Sequence, residues 1–596
     1  MLPGSMQNGR SPSRGSGGVE NPVRSVTAAA ILFSGCKQLE PDSPRTTLPG
    51  MNTSNAQRSS SAASQVKLKA GFLCLGIMRR IPGIWFLVGL VALTGAGLAG
   101  AAEPAVTNKV QVVDGVVQPR RPVAEAIVEA MQFLKRADGG YVPGRIDGSL
   151  AGYFTSAFVN EDGTRSERQL AYPARQHAYF IFTFLRYYAY TGDREWLLRA
   201  RDLADWNLAH STSSNAVYAR LPYSTWRDGK PGGSRDQDSI EPDKAAFLGS
   251  AYVAVYEATA AAKYLNAAQA VAETLARRQR EEGSWPFRVV PEDGTIRQDF
   301  GGAPVFLVEF FERMLRYDEK PVWRRAHDRA LKHMLQTHIE KNLWGTYHED
   351  VMLKPQDYLS AEPMSFTADY LFRRGKAHPE YVEMGRQVIR RMEERLVHTD
   401  GHAAAPAPAV AEQLGFNHIM PGHTARYCLA LADLYSLTHD EQVKRRALSG
   451  INALTHMQAP SGLFRTFFYS VNPKAAGAKK PDWYSQHLYT VCHVLEAMPC
   501  LPELAPYGQD HLLGSGVSVR EVRYSPGQVK FETLAPSRTV LKLSFVPKAV
   551  YAGTRELGAV KEPSADGVVG WSFDAATSLL TVRHDRGQVD VLSAPQ

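Results

Sequence analysis

The sequence predicts a mainly α-helical protein, in which a closed toroid of six helical hairpins is followed by a small C-terminal antiparallel β-sandwich. Helical patterns fill residues 122–500 and recur about every 60 residues, alternating between amphipathic segments and segments rich in aromatic and small residues. After Pro506 the apolar residues alternate with period two, which is typical of β-strands. With 44% apolar and 21% charged residues, the composition is that of a globular protein rather than a disordered chain.

The first 101 residues explain why the chain is basic. They contain ten Lys and Arg but only three acids, so they carry nearly all of the formal net charge of +8. From Met78 an Arg pair, an apolar run over 84–98 and small residues follow in the order of a secretory signal peptide. We therefore expect residues 1–77 to be a disordered, mis-called extension, 78–101 a signal peptide and 102–121 a linker. An uncleaved anchor behind a disordered tail is the alternative.

This leader predicts a periplasmic or secreted protein without membrane contact beyond the signal peptide. The chain that remains is almost neutral, so a nucleic-acid partner is not expected. Cys428, Cys492 and Cys500 are too few for a disulfide framework and form no CxxC pair. Neither a glycine-rich phosphate loop nor an HExxH motif occurs, so we expect no cofactor and no metal. The oligomeric state stays open.

The helical region is predicted over 122–505 and consists of two layers. The amphipathic segments predict outer helices over 123–137, 193–210, 262–281, 320–341, 378–398 and 440–458. The apolar segments predict buried inner helices over 172–191, 243–260, 302–318, 361–375, 421–438 and 483–498. Each inner segment has a proline at or near its first turn, where an N–H would lack an intrahelical partner anyway. The β-sandwich is predicted over 515–596.

A glycine turn with aromatic neighbours follows several outer segments, and a glutamine often precedes it. Examples are Gln279 before Gly283-Ser284-Trp285 and Gln458 before Gly462-Leu463-Phe464. On this architecture the sequence resembles the six-hairpin, (α/α)6-toroid carbohydrate-active enzymes, and the Gln…Gly-x-Trp element is similar to the turn motif of squalene cyclases. Because the cyclase motif DxDD is absent, the resemblance implies a carbohydrate substrate rather than terpene cyclisation.

In such a toroid all inner helices begin at one end, so polar residues at their starts should converge in one funnel. The candidate catalytic residues are Glu241, Asp243, Asp299, Glu362, His423 and His487. The candidate substrate-binding residues are Arg175, His177, Trp285, Trp344, Tyr358, Arg426 and Tyr484. For each acid, capping of a helix N-terminus is the alternative, because the helix dipole stabilises a carboxylate there.

Three functions fit these residues. Hydrolysis of a poly- or oligosaccharide is favoured, since it requires two carboxyl groups and four helix starts carry one. A polysaccharide lyase or a sugar epimerase would use the His, Tyr and Arg residues instead. Met420-Pro421-Gly422-His423 resembles the Pro-Gly-His motif of N-acylglucosamine 2-epimerases, and Trp483-Tyr484-Ser485-Gln486-His487 resembles the last hairpin of uronyl C5-epimerases. The third possibility is a glycan-binding toroid without catalysis.

Overall fold

Twelve α-helices occupy the described part of residues 123–497 in the computed structural model of the protein. The structure describes residues 110–136, 141–142, 153–154, 158–164, 170–227, 230–232, 239–344, 359–468, 482–563, 567–585 and 587–594. The helices are α1 (Val123–Arg136), α2 (Ala178–Thr191), α3 (Arg194–Ala209), α4 (Pro242–Thr259), α5 (Ala262–Arg278), α6 (Pro304–Leu315), α7 (Pro321–His333), α8 (Ala361–Arg374), α9 (Pro379–Arg395), α10 (Pro421–Thr438), α11 (Glu441–Leu454) and α12 (Tyr484–Ala497). A π-helical turn, Pro173–His177, leads into α2, and another, Met334–Glu340, extends α7.

The helices alternate between a buried and a half-exposed type, as the sequence predicts. In α4, 16 of the 18 residues are buried, whereas α9 buries five of 17. The even-numbered helices form an inner layer, because a helix that is apolar all round needs neighbours on every side. Along this layer α2 contacts α4, and each inner helix contacts the next as far as α12, which contacts α2 again. The inner helices therefore form a closed ring.

One side chain from each inner helix meets its neighbours near the ring axis: Tyr179, Phe247, Phe306, Phe366, Arg426 and His493. Consecutive aromatic rings along the first four lie 4.7–4.9 Å apart between centroids. The Arg426 guanidinium lies 4.4 Å from the centre of the Phe366 ring. We call this set the aromatic layer. All six residues lie within the first three turns of their helices, so the N-termini of the inner helices share one end of the ring.

The glutamine–glycine element joins successive hairpins. Gln279 Nε2 donates to the carbonyl of Gly283 (3.1 Å) in its own turn and to that of Ala326 (2.9 Å) in α7. Gln458 Nε2 does the same to Gly462 (2.9 Å) and to Ala126 (2.7 Å) in α1, so the sixth hairpin is joined to the first. Each glycine has a positive φ, +98° at the first turn and +93° at the second. Any Cβ there would overlap the backbone of the neighbouring outer helix.

Short strands lie between the helices, and longer ones follow them. The strands are β1 (Val112–Val113), β2 (Val116–Val117), β3 (Tyr141–Val142), β4 (Tyr153–Phe154), β5 (Phe158–Val159), β6 (Leu170–Ala171), β7 (Trp226–Arg227), β8 (Lys230–Pro231), β9 (Pro286–Val289), β10 (Ile296–Gly301), β11 (Val397–His398), β12 (Ala409–Gln413), β13 (Phe416–Ile419), β14 (Asp482–Trp483), β15 (His511–Ser515), β16 (Val519–Ser525), β17 (Gln528–Thr533), β18 (Ser537–Lys542), β19 (Pro547–Ala552), β20 (Arg555–Glu556), β21 (Gly570–Asp574), β22 (Leu579–His584) and β23 (Gly587–Ser593).

The C-terminal strands form two antiparallel sheets, in the orders β15-β18-β22-β21 and β16-β17-β23-β19-β20. Every second residue of β17 and of β22 is buried, as expected for strands with one apolar face. This region contacts the ring where the inner helices end. Tyr524 donates to the carbonyl of Ala189 in α2 (2.5 Å), and the Ser518 N–H donates to Glu257 in α4 (2.8 Å). The end of the ring where the inner helices begin therefore lies away from these two C-terminal sheets.

The predicted mainly helical fold with a C-terminal β-region is confirmed. The β-region begins at His511, ahead of the predicted boundary at 515. The segment predicted as a linker is in part folded, because the β1–β2 hairpin packs on α11 and Asn452 donates to the carbonyl of Val117 (2.9 Å). Among the described residues, no helix combines the length and the apolar character that a membrane span requires. The predicted leader lies outside the described residues.

Candidate functional site

Glu362 lies at the centre of a buried polar network on the N-terminal side of the aromatic layer. It stands in the first turn of α8, and 1% of its side chain is exposed. Arg175 Nη2 lies 2.5 Å from its Oε2, and the Tyr179 hydroxyl donates to its Oε1 at 3.1 Å. Arg426 Nη2 donates to the Tyr179 oxygen at 2.5 Å and lies 3.8 Å from Glu362 Oε1. The structure thus brings together Arg175, Glu362 and Arg426, which the sequence predicts for one site.

The network holds Glu362 ionised. Burial by itself raises the pKa of this carboxyl, but the positive charges of Arg175 and Arg426, and then of Lys244, outweigh it, and the nearby His423 acts in the same direction, so the pKa lies well below its usual range. A carboxylate held in this way can accept a proton or orient a cation, but it cannot act as a general acid near neutral pH.

His423 lies in the same part of the ring because of the Pro-Gly-His sequence that contains it. Pro421 begins α10, and the Gly422 N–H donates to Gln486 Oε1 on α12 at 3.2 Å. A Cβ at Gly422 would overlap Gln486, so the glycine permits the close approach of α10 and α12. The next residue, His423, is fully buried, and its Nε2 lies 3.8 Å from Glu412 Oε1.

The two acids at the start of α4 are engaged in ion pairs. Glu241 Oε1 lies 2.8 Å from Arg288 Nε, and both side chains are about 5% exposed. Asp243 Oδ2 lies 3.0 Å from Lys244 Nζ and accepts the Ala303 N–H at 2.9 Å. Asp243 thus ties the first turn of α4 to the start of α6. These contacts favour the structural alternative for both acids.

Two other predicted catalytic residues have contacts that do not join this network. Asp299 lies on β10 with 74% of its side chain exposed and pairs with Arg280. His487 accepts the Phe464 N–H at Nδ1 (2.9 Å) and has Nε2 3.1 Å from the carbonyl of Ala130, which fixes a neutral tautomer. Burial lowers its pKa to about 4. Both ring nitrogens are used by the backbone, so the catalytic prediction for His487 is corrected to a structural role.

The two tryptophans that the sequence predicts as substrate-binding residues are packing residues. Trp285 is 2% exposed and donates to the carbonyl of Leu275 (2.9 Å), and Trp344 is 1% exposed and donates to Asn342 (3.0 Å). Their indoles are used within the outer layer, which corrects their assignment to the funnel. The remaining predicted binding residues are His177, which accepts from Asn207, Tyr484, which is buried beside Phe180, and Tyr358, which lies outside the described residues.

A hydrogen-bonded chain crosses the aromatic layer, and the sequence analysis missed most of it. From Tyr179, which contacts Glu362, it continues through Arg426, whose Nε donates to His493 Nε2 at 3.2 Å. His493 Nδ1 then donates to Glu496 Oε2 at 2.9 Å, and Glu496 pairs with Arg186. Buried tyrosines and histidines usually find a polar partner, which is the signal that could have identified these residues.

Cys492, His493 and Glu496 form the one group of described residues whose ligand atoms lie close enough to hold a metal ion. However, Arg186 Nη1 lies 3.2 Å from Cys492 Sγ, and Arg426 Nε lies 3.2 Å from His493 Nε2. Two guanidinium groups at the ligand atoms would repel a metal cation. The group is therefore better described as part of an arginine-bridged network.

No protein-family model matches the chain, and no curated protein is similar to it. It is similar to solved structures, among them the cellobiose 2-epimerase of Spirochaeta thermophila DSM 6192, with 14% identity over 64% of this chain and 96% of that one, and a TM-score of 0.49. An unsaturated glucuronyl hydrolase specific for heparin has 14% identity over 65% and 98%, with a TM-score of 0.43. A family 76 glycoside hydrolase from a bovine Bacteroides thetaiotaomicron strain has 11% identity over 64% and 78%, with a TM-score of 0.45. These structures include an epimerase and glycoside hydrolases, which are classes within the (α/α)6-toroid carbohydrate-active enzymes that the sequence resembles.

Proposed function

We propose that this protein is a carbohydrate-active enzyme of (α/α)6-toroid architecture that transfers a proton at a carbon atom of its sugar substrate, as epimerases, isomerases and lyases do. His423 is the proton-transfer group, and Arg175 binds the sugar oxygen on which negative charge develops. The observation that supports the proposal is that His423, fully buried in α10, is near enough to Glu362 to contribute to the lowered pKa of the carboxyl that Arg175 pairs with. With 11% of its side chain exposed, against 1% for Glu362, Arg175 is the member of their ion pair nearer to solvent.

The chemistry of the network supports this assignment. Removing a proton from a carbon next to a carbonyl or carboxylate leaves an enolate, whose oxygen must be stabilised. A guanidinium that is already oriented by Glu362 can do this without reorganisation. Hydrolysis through the predicted acids has less support, because Glu241 and Asp243 are engaged in ion pairs and Asp299 lies on an exposed strand.

The test is solvent exchange. The protein is incubated in D2O with reducing hexoses, disaccharides and uronic-acid oligosaccharides, and the products are followed by proton NMR. We expect deuterium at the reacting carbon for an epimerase or isomerase, and an unsaturated uronate for a lyase. Cleavage products without either change would contradict the proposal.

A matched pair of variants on α10 assigns the group. His423→Asn should reduce turnover by roughly 100-fold or more, the usual contribution of a general base. His439→Asn at the exposed end of the same helix should have no effect, because His439 has a φ of +53° that asparagine tolerates well. Equal activity of both variants would exclude His423.

Hydrolysis remains a second candidate because two carboxyl groups are shifted in opposite directions. Burial raises the pKa of Asp482, at the start of the sixth inner helix, while the arginines lower that of Glu362. A carboxyl group with a raised pKa is suited to the role of general acid, and one with a lowered pKa to that of general base. Under this function Asp482→Asn would abolish the release of reducing ends, whereas Asp299→Asn would not.

We also propose that the protein is exported to the periplasm or secreted, on the sequence of residues 78–101 alone. N-terminal sequencing of the native protein should find a start near Ala102. A peptide from residues 1–77 would contradict this cleavage.

A further inference from the structure

A cavity lined by all six inner helices lies on the side of the aromatic layer away from Glu362. Its volume is about 300 Å³, at the lower end of the range of small-molecule sites. The C-terminal halves of the inner helices form its wall, and Ser515 and Gly516 from the β-region close one side. We call it the lower chamber. Phe182, Phe247 and Phe366 give it aromatic faces.

The wall of the lower chamber contains four arginines, namely Arg186, Arg313, Arg373 and Arg426. It also contains the acids Glu309, Asp369, Asp433 and Glu496. Burial and a hydrogen bond to Asp369 raise the pKa of Asp433 well above its usual range. Burial lowers the pKa of His493 to about 4, so this histidine is neutral near pH 7. The wall therefore has four guanidinium groups and four carboxyl groups, and the pKa of one of these carboxyl groups is raised.

The positive charges are unequally compensated. Arg373 pairs with Glu309 and Asp369, and Arg186 pairs with Glu496. Arg313 forms no ion pair with the described residues, since none of their carboxylate oxygens lies within 4.0 Å of its side-chain nitrogens. Its guanidinium lies 5.7 Å from the centre of the Phe182 ring. Burial and the nearby charge of Arg316 lower the pKa of Arg313, and the charges of Glu257 and Glu309 offset part of this effect. An anion in direct contact with Arg313 would offset more of it.

We infer that the lower chamber binds a small organic acid of the size of a sugar acid, with its carboxylate on Arg313 and its body against the phenylalanine faces. An arginine binds a carboxylate through two parallel N–H donors, and aromatic faces suit the C–H faces of a pyranose. The volume exceeds what a halide ion fills, which favours an organic anion. The lower chamber shares Tyr179 and Arg426 with the network around Glu362, but its proposed anion lies on Arg313 at the far side of the aromatic layer. The inference does not depend on the function proposed for that network.

Isothermal titration of the full-length protein tests the inference, with D-glucuronate as probe and D-glucose, acetate and chloride for comparison. We expect D-glucuronate to bind at a site for which D-glucose does not compete, because only the former carries the anion. Acetate should bind more weakly, since it lacks the body that contacts the phenylalanines. Absence of glucuronate binding, or equal binding of chloride, would overturn the inference.

Substitutions of single arginines test where the glucuronate binds. Arg313→Gln should weaken glucuronate binding at least tenfold, the order expected for loss of a charge-assisted pair. Arg316→Gln removes the same charge from the same helix, but Arg316 pairs with Glu257, so its affinity should stay near that of the wild type. Arg175→Gln alters the other side of the layer and tests whether the probe binds in the network around Glu362 instead. If Arg175→Gln loses binding and Arg313→Gln keeps it, the ligand occupies the network around Glu362 and the inference is wrong. If Arg313→Gln does not fold, Arg313→Lys, which retains the charge, takes its place. Arg313→Lys should bind glucuronate with an affinity between those of the wild type and Arg313→Gln.

Discussion

Replacement of Glu362 by glutamine tests the physical basis of the network. The side chain keeps its size but loses its charge, so Arg175 and Arg426 are left close together without the anion between them. Both guanidiniums are largely out of solvent, since the side chain of Arg175 is 11% exposed and that of Arg426 is fully buried. Breaking a buried ion pair by removal of one partner costs about 3–5 kcal/mol. We expect a decrease in the free energy of unfolding of this size.

Asp299→Asn is the matched control for this prediction. It is the same kind of change at another acid near the start of an inner helix, but the Asp299 carboxylate is exposed and pairs with Arg280 at the surface. Exposed ion pairs contribute up to about 1 kcal/mol. Urea unfolding followed by circular dichroism measures both variants against the wild type. Equal stabilities of the two variants would refute the argument that Glu362 compensates buried cations.

Three further predictions concern the scaffold and its pH dependence. Gly283→Ala should cost more than about 2 kcal/mol of stability, because its Cβ would overlap the backbone of Arg329 at a φ of +98°. Gly553→Ala should cost about 1 kcal/mol, because its φ of +60° is allowed and its surroundings are open. His487→Asn should lower the unfolding free energy by about 2 kcal/mol and leave turnover of the folded enzyme unchanged. Because burial depresses the pKa values of His487 and His493 to about 4, stability should fall as the pH drops from about 6.5 towards 4, by about 3 kcal/mol for each.

Each of these expectations has a definite contrary result in thermal and urea unfolding. Equal losses from the two glycine variants would mean that the overlap with α7 is relieved by a small shift of the turn. Loss of turnover without loss of stability in His487→Asn would restore its catalytic assignment. A stability that is constant between pH 7 and 4 would mean that the two histidines are protonated in the folded protein.

The helices could be predicted from the sequence because their pattern is local. The predicted inner segment 421–438 coincides with α10, and the predicted outer segment 262–281 begins with α5. In α10 a proline indicates where the helix begins, and in α5 apolar residues with a period of 3.6 indicate which face is buried. The folded β1–β2 hairpin was missed because two-residue strands leave almost no periodicity.

The site could be predicted only in part, because the role of a side chain depends on neighbours that are distant in sequence. Asp299 and Glu362 look alike in the sequence, since each is an acid near the start of an inner helix. The β9–β10 hairpin carries Asp299 out to solvent, whereas Glu362 lies in the helix itself and meets Arg175 from the π-helical turn that precedes α2. The sequence analysis did not select Lys244 as a site residue. A lysine in a helix that has no exposed face is a signal that could have identified it.

The common direction of the inner helices shows which charged residues need a functional explanation. All six begin at one end of the ring, so their dipoles favour acids there and cations at the opposite end. Asp243 near a helix start and Arg373 near a helix end follow this rule and need no functional explanation. Arg175, Lys244 and Arg426 lie near helix starts, where the dipole opposes a positive charge. Glu362 compensates part of this cost, and under the proposed function a bound oxyanion of the sugar would compensate more of it. The cations at the helix starts, rather than the acids that the sequence emphasises, are therefore the stronger indication of where the substrate of the proposed function would bind.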